Sequence, residues 1–363
     1  MSFQIRGIGT AVPEHRMSQT EAAALAHEVI CRNEQERRLL SVLYRKAGVE
    51  NRFMALPHRI ALDWLKPRET PEEVVAGTTL GPTTGERMKF YAEHATPLAV
   101  NAAHSALSAA KTRAQEITHL ITVSCTGFHA PGVDFGLIHE LGLRPTTQRI
   151  QVGFMGCHGA INGLRVAHAL AADPSARVLL CAVELCSLHY RFQWDPERIV
   201  ANALFGDGAA AVVGDGASSA DTNAWRVQAT GSCLLPDSNE AMSWNVGDHG
   251  FEMTLDARVP TLIQEHLRPW LTEWLASHGL SLAQIRSWAI HPGGPKILQG
   301  AESSLELEPS ATAVSREVLA QHGNMSSPTV LFILDRMRQA NAPRPCVALG
   351  FGPGLFAETA LFV

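Results

Sequence analysis

Three residues that lie far apart in the chain are the ones expected to do chemistry. Cys157 stands in "VGFMGCHGAINGLRVAHAL", between Gly156 and Gly159, where a helical pattern begins directly after it. A thiolate is a strong nucleophile. A helix N-terminus lowers a cysteine pKa through its partial positive charge and free N–H groups. The flanking glycines let a carbonyl approach the backbone closely, and the same N–H groups can form an oxyanion hole. The plain alternative is a buried structural cysteine, because free cysteine is among the most buried residue types.

A nucleophilic cysteine needs a base and an orienting group. His291, in "WAIHPGGPKIL", ends an apolar strand before Pro-Gly-Gly and is expected to point into a cleft. Asn324, in "QHGNMSSPTVLFIL", stands just ahead of a helix. Taken singly, the first reads equally as a hydrogen-bonded turn residue and the second as a helix cap. With 16 histidines in the chain, finding one downstream of a cysteine decides nothing by itself. The order Cys, His, Asn is also that of papain-like proteases, but "MGCHGAING" lacks their cysteine context. "GIGTAV" opens like a dinucleotide fingerprint, yet Val12 stands at the third glycine position. There is no Walker A motif, and the cysteines and histidines lack zinc spacing, so no metal site is expected. In "ALFGDGAAAVV", Gly206, Asp207 and Gly208 read as a tight turn entering a strand. Phe205, a large aromatic just before that turn, is expected to line a cavity.

Alternating elements must position these residues. "FQIRGIGTAVP" reads as a strand ending in a turn. Ser18-Gln19-Thr20-Glu21 is a capping box before "AAALAHEVI". Thr70-Pro71-Glu72-Glu73 is a second helix start, with Pro at the first helical position. "AVNAAHSALSAAKTRAQE" reads as a long, largely buried helix. Seven strand-like runs follow, from "HLITVSC" to "ETALFV", several separated by helical segments, which argues for an α/β protein. A weak internal echo runs through them. "ITHLITVSCTG", "GCHGAINGLRVAHAL" and "ARVLLCAVE" recur in kind as "IRSWAIHPGG", "GNMSSPTVLFILDRM" and "PCVALGFGPG". A duplicated unit would explain this, with a boundary in "GDGASSADTNA"; any α/β chain repeating strand, loop and helix would explain it too.

The 363 residues, 46% hydrophobic and 18% charged, suit two packed domains or one duplicated domain. A net charge of -5 gives no reason to expect nucleic acid or an anionic membrane as partner. No run approaches the length of a membrane span, and no secretory signal is read at the start. Seven thinly spread cysteines without a C-x-x-C pair argue against a disulfide framework and for a reduced, cytoplasmic compartment.

Together, "GFMGCHGAINGL", "ALFGDGAAAVVG", "IHPGGPKIL", "HGNMSSPTVLFIL" and "GFGPGLFAETALF" resemble the type III polyketide synthases, the chalcone-synthase-like branch of the thiolase-fold superfamily. The likeness runs in order over essentially the whole chain. It implies a five-layered αβαβα fold of two similar halves, residues 1–222 and 223–363, and a homodimer in which a long CoA tunnel reaches each active site. It implies Cys157 as nucleophile, His291 and Asn324 as its partners, and Phe205 as gatekeeper where tunnel meets cavity. Gly352, Pro353 and Gly354 become the loop beside the site, with Ser326 among the substrate-contacting residues. Lys46 matches one residue used on CoA phosphates; Arg38 and Arg45 are nearby substitutes only. Four positions depart from plant members: Met253 replaces a cavity phenylalanine, Ala130 a dimer-crossing methionine, Trp244 a cavity glycine and Cys125 a threonine.

The expected activity is loading of a starter acyl group from CoA onto Cys157, iterative decarboxylative condensation with malonyl-CoA, and cyclisation. CoA thioesters are the substrates and no cofactor is implied. Trp244 fills space that an aromatic starter would need, while flexible Met253 and small Cys125 suit an aliphatic chain. That favours an alkylpyrone or alkylresorcinol-type product. Alternatives are a malonyl-CoA-primed synthase of a small polyhydroxylated aromatic, a single-step ketosynthase of the fatty-acid initiation type, and a non-catalytic acyl-CoA scaffold.

Overall fold

The structure is a computed structural model that describes residues 2–65, 80–196, 198–216 and 224–363. The expected helix start at Thr70-Pro71-Glu72-Glu73 and most of the expected boundary around 214 to 224 lie outside the described residues.

Nine strands form one mixed sheet. From one edge their order is Ser287–Ile290, Cys346–Gly352, Phe356–Phe362, Arg226–Leu234, Phe3–Ala11, Asp207–Gly216, Arg177–Leu185, His119–Ser124 and Gln148–Gly153. Two arms meet at a narrow seam, where the first strand touches Arg226–Leu234 only through Phe3 opposite Val227 and Gln4 opposite Arg226. Most strand runs read from sequence are present, because β-branched and aliphatic residues suit strands buried on both faces. The Gln148–Gly153 strand escaped sequence reading. It is a largely exposed edge with polar residues at its start, which gives no apolar signal.

Two helices, Gly159–Leu170 and Pro328–Gln339, lie between the arms and share one apolar cluster with both, including Ile161, Leu164, Val330 and Ile333. The second is buried continuously from Pro328 to Leu334, as a helix sandwiched between two sheet arms must be. Outside one arm lies the Thr84–Ala110 helix. It starts at a Thr83/Glu86 capping box and presses Ala99, Ala102, Ala103 and Ala106 onto the sheet. It stops at Ala110 with Lys111 left-handed, short of the "KTRAQE" that the sequence placed in it. Outside the other arm, the Val259–Ser277 and Pro295–Leu305 helices pack on each other and on the sheet. The layers therefore run helix, sheet, helix, sheet, helix, a thiolase-like αβαβα architecture.

The internal echo has a geometric counterpart. His119–Ser124 pairs in parallel with Arg177–Leu185, and Ser287–Ile290 pairs in parallel with Cys346–Gly352. One central helix lies between each pair in sequence. Both Cys157 and Asn324 precede such a helix, and their side chains meet in the middle layer.

Candidate active site

Cys157 lies on a single 3-10 turn, Gly156–His158, that feeds directly into the Gly159–Leu170 helix. The backbone turns sharply to reach it. Phe154 has φ 57° and Gly156 φ 70°. A Cβ at Gly156 would lie 2.5 Å from Pro353 Cδ, so glycine is required on two counts. The Cys157 side chain is half-buried, and its accessible face belongs to a large cavity.

Asn324 reaches the same sulfur from the second half. Its Nδ2 lies 3.9 Å from Cys157 Sγ. The orientation of the amide is fixed, because Ser326 N donates to Asn324 Oδ1 at 2.8 Å and leaves Nδ2 for the sulfur. The backbone is fixed too: Asn324 N donates to Leu204 O at 2.8 Å, and Gly206 N donates to Asn324 O at 3.0 Å. Asn324 is therefore not a helix cap; Ser327 holds that position. Phe205 is bridged to Asn324 through the backbone, so the two residues are held in one fixed relation.

His291 ends the Ser287–Ile290 strand, and its backbone N donates to Leu349 O at 2.8 Å. Its side chain is 1% exposed rather than open to a cleft, which corrects the sequence expectation. Neither ring nitrogen has a hydrogen-bond partner among the described residues. Such a pair of free ring nitrogens is expensive to bury, and it is what a site needs for groups that arrive with substrate.

The electrostatics run against the lowered thiol pKa expected from the helix terminus. Burial pushes the Cys157 thiol up to about 11, against the opposing hydrogen bonds of Ser326 and Asn324. Burial, with His158 next to it, pulls His291 down to about 3. With no substrate, desolvation outweighs the helix terminus. Burial thus favours the neutral form of each group.

Sequence reasoning missed Glu184. It is fully buried and accepts from Cys125 N at 2.9 Å, Thr126 N at 3.0 Å, Thr126 Oγ1 at 2.6 Å and Ser327 Oγ at 2.6 Å. Burial raises its pKa, and these donors oppose the rise, Ser327 and Thr126 foremost. It ties the Cys125 loop of the first half to the Asn324 loop of the second. A glutamate in the otherwise apolar run "RVLLCAVEL" was the available signal.

The cavity encloses about 1500 Å³, counting its open mouth. Cys125, Phe205, Trp244, Met253, Ser326 and Pro353 line it. Trp244 and Met253 face each other across a hairpin, Met242–Gly247 with Gly250–Leu255. Trp244 Nε1 donates to Cys125 O at 2.7 Å, so the indole is pinned to the wall. His189, also missed, braces that hairpin. One ring nitrogen meets Thr126 O at 2.7 Å, Phe251 N donates to the other at 2.9 Å, and the ring stacks on Phe251 at 4.2 Å. Cys125 Sγ lies 3.3 Å from Ser326 Oγ. Lys46, at the end of the Glu34–Lys46 helix, is exposed and outside the cavity lining; buried Gly352 and half-buried Gly354, on either side of Pro353, also lie outside it.

Comparison with known proteins defines the class. Residues 3–217 match the family model described as chalcone and stilbene synthases, N-terminal domain, and residues 226–363 match its C-terminal domain. The chain belongs to the chalcone and stilbene synthase family; it is a type III polyketide synthase, an acyl-transferring enzyme. It is 36% identical over 367 residues to the "alpha-pyrone synthesis polyketide synthase-like Pks18" of Mycobacterium tuberculosis, covering 99% of this chain and 90% of that one. It is 36% identical over 363 residues to the 1,3,6,8-tetrahydroxynaphthalene synthase of Streptomyces peucetius, covering 98% and 92%. Its fold is similar to the crystal structure of PKS-I from the brown alga Ectocarpus siliculosus. The TM-score is 0.91 at 29% identity, over 100% of this chain and 98% of that one. No helix among the described residues is long and apolar enough to cross a membrane.

Proposed function

We propose that this enzyme loads an aliphatic acyl group from CoA onto Cys157, extends it with malonyl-CoA, and closes the chain to an alkylpyrone or alkylresorcinol-type product. The observation that carries the choice of starter is the shape of the cavity wall. Trp244 is held against Cys125 O and shares the cavity lining with Cys157. Met17, Leu25, Leu56, Ile60 and Ala61 give the same cavity an apolar stretch. In this reading a flexible chain bends past the indole among these residues, and a planar aromatic group does not. The mycobacterial relative named for α-pyrone synthesis supports the same product class.

In the loading step Cys157 Sγ attacks the thioester carbonyl as its proton passes to His291. The C–S bond to CoA breaks, and His291 returns the proton to the CoA thiolate. Malonyl-CoA then binds with its thioester oxygen toward Asn324 Nδ2 and the His291 ring. Those donors stabilise the enolate that forms as CO2 leaves. The enolate carbon attacks the acyl–Cys157 carbonyl and releases the sulfur for the next cycle. Phe205 offers an apolar face to the departing carboxylate. Every bond change in this scheme lies in the thioester substrates and the protein. Lys46 contacts CoA phosphate at the entrance, and the Gly352–Pro353–Gly354 loop backs the site.

The two-half division, residues 1–222 and 223–363, is kept as part of this reading, as are a cytoplasmic location and a homodimer. Support for the dimer comes from the exposed Gln148–Gly153 edge strand. Beside it stand Phe128 and Phe154, with Met155 next in sequence, all large apolar residues exposed by 38–51%.

A second reading has its own support: the Streptomyces relative, named for a polyhydroxylated naphthalene, is equally similar at 36%. There malonyl-CoA would serve as its own starter. The test is competition at equal concentration between a medium- or long-chain acyl-CoA, p-coumaroyl-CoA and malonyl-CoA alone, with products read by mass spectrometry. The aliphatic starter is expected to win. Preference for p-coumaroyl-CoA would overturn the role given to Trp244, and efficient product from malonyl-CoA alone would establish the second reading.

A further inference from the structure

Arg52 is a buried cation that makes no hydrogen bond to a carboxylate among the described residues. It is 3% exposed, on the Asn51–Met54 strand, and makes no ion pair among the described residues. Burying a charge in this way is costly unless its donors are used. Four of its hydrogen bonds run to a small region. Nη1 donates to Asn202 O at 2.6 Å and to Phe205 O at 3.0 Å, and Nη2 donates to Ala203 O at 2.7 Å and to Gln19 Oε1. Gln19 Nε2 in turn donates to Ala203 O at 3.0 Å and to Tyr44 O at 2.9 Å.

These acceptors are the last carbonyls of the short Val200–Leu204 helix and of the residue after it. A helix end leaves such carbonyls without intrahelical partners, and a cation there is favoured. The accounting is complete at this end. Ala201 O accepts from Phe205 N, Leu204 O accepts from Asn324 N, and Arg52 takes Asn202, Ala203 and Phe205. One guanidinium therefore grips the chain on both sides of the gate residue. The residue it leaves free, Leu204, is the one that holds Asn324. A Cβ at Gly323 would lie 2.8 Å from Leu204 O, so the two loops meet with no slack.

We propose that Arg52 is a positioning residue for the condensing half of the reaction: by capping the Val200–Leu204 helix it sets Phe205 and, through the Phe205–Asn324 bridge, the amide that faces Cys157. The proposal rests on the roles given above to Asn324 and Phe205. It separates the two half-reactions, because Cys157 stands on a different element, the Gly156–His158 turn, which Arg52 does not touch.

Arg52→Lys keeps the charge but cannot span the same carbonyls from one planar group. Two rates are measured on the purified full chain: transfer of a radiolabelled acyl group from CoA to Cys157, and release of CO2 from malonyl-CoA. Decarboxylation is expected to fall about ten- to a hundredfold, in kcat more than in KM, with acyl transfer within about threefold of the parent. Adding Arg52→Lys to Asn324→Ala is expected to cause no further loss of decarboxylation, since both act through one group. Parallel loss of both rates, no loss of either, or a full multiplicative loss in the double variant would overturn the proposal. If Arg52→Lys does not fold, Gln19→Met leaves Arg52 in place and removes the side-chain bonds to Arg52, Ala203 O and Tyr44 O. It should give the same selective loss at smaller size, and its absence would count equally against the idea. Parent enzyme that neither acylates Cys157 nor releases CO2 would instead overturn the proposed function itself.

Discussion

The Cys157 loop and the Asn324 loop meet at one site, yet they end in different states. Each precedes a central helix, and each contains a non-glycine residue at φ 57°, Phe154 in one and Ser326 in the other. The first loop turns its side chain toward the cavity and leaves Cys157 accessible. The second is closed over: Asn324 is 1% exposed, and its backbone is bonded to Leu204 and Gly206. A nucleophile that carries a growing chain must reach the substrate space. An amide that stabilises charge for an instant works best held rigid and dry. The same local geometry serves both needs, and the elements packed against it decide which.

The largest test of this contrast is Cys157→Ala. Product formation should fall below about a thousandth of the parent rate, with far-UV circular dichroism unchanged, because in the proposed mechanism the sulfur alone bears the chain. Full product from the purified variant would break the comparison at its first term.

Next is Asn324→Ala, which addresses the rigid loop. Decarboxylation of malonyl-CoA should drop about a hundredfold, as expected for loss of one oxyanion donor, while a labelled starter still traps on Cys157. Equal loss of both would mean that Asn324 serves mainly to hold the thiol or the fold.

The smallest effect concerns the open loop and pH. Burial raises the Cys157 thiol to about 11, so its thiolate fraction grows as pH rises toward that value. Iodoacetamide labelling of Cys157, followed by peptide mapping, should therefore speed up about tenfold per unit between pH 7 and 10. It should still outpace Cys181 and Cys346, which are fully buried and pushed up to about 12. A rate that is flat from pH 6 to 9 would instead reveal an ion pair with His291 in the resting enzyme.

Much of the frame was legible from local patterns. The Ser18–Glu21 capping box begins a helix where expected, with both reciprocal hydrogen bonds present. Buried strands such as Arg177–Leu185 declare themselves by an apolar run, here Val178 to Val183. The Met242–Gly247 and Gly250–Leu255 strands did not. They form a half-exposed two-stranded hairpin over the cavity, where mixed polarity serves packing on one side and substrate on the other.

The sequence by itself determined the residue types that can react, the helix starts that present them and the alternation of strands and helices. All of these follow from neighbours within a few residues along the chain. Only the tertiary structure decided that His291 is sealed in, that burial raises the Cys157 thiol, that Glu184 joins the two loops and that Arg52 binds the carbonyls around Phe205. Those outcomes depend on desolvation and on contacts between residues as many as 184 positions apart, such as Gln19 with Ala203. Burial and distance of that kind have no signature in local order; they exist only once the two arms have closed on the helices between them.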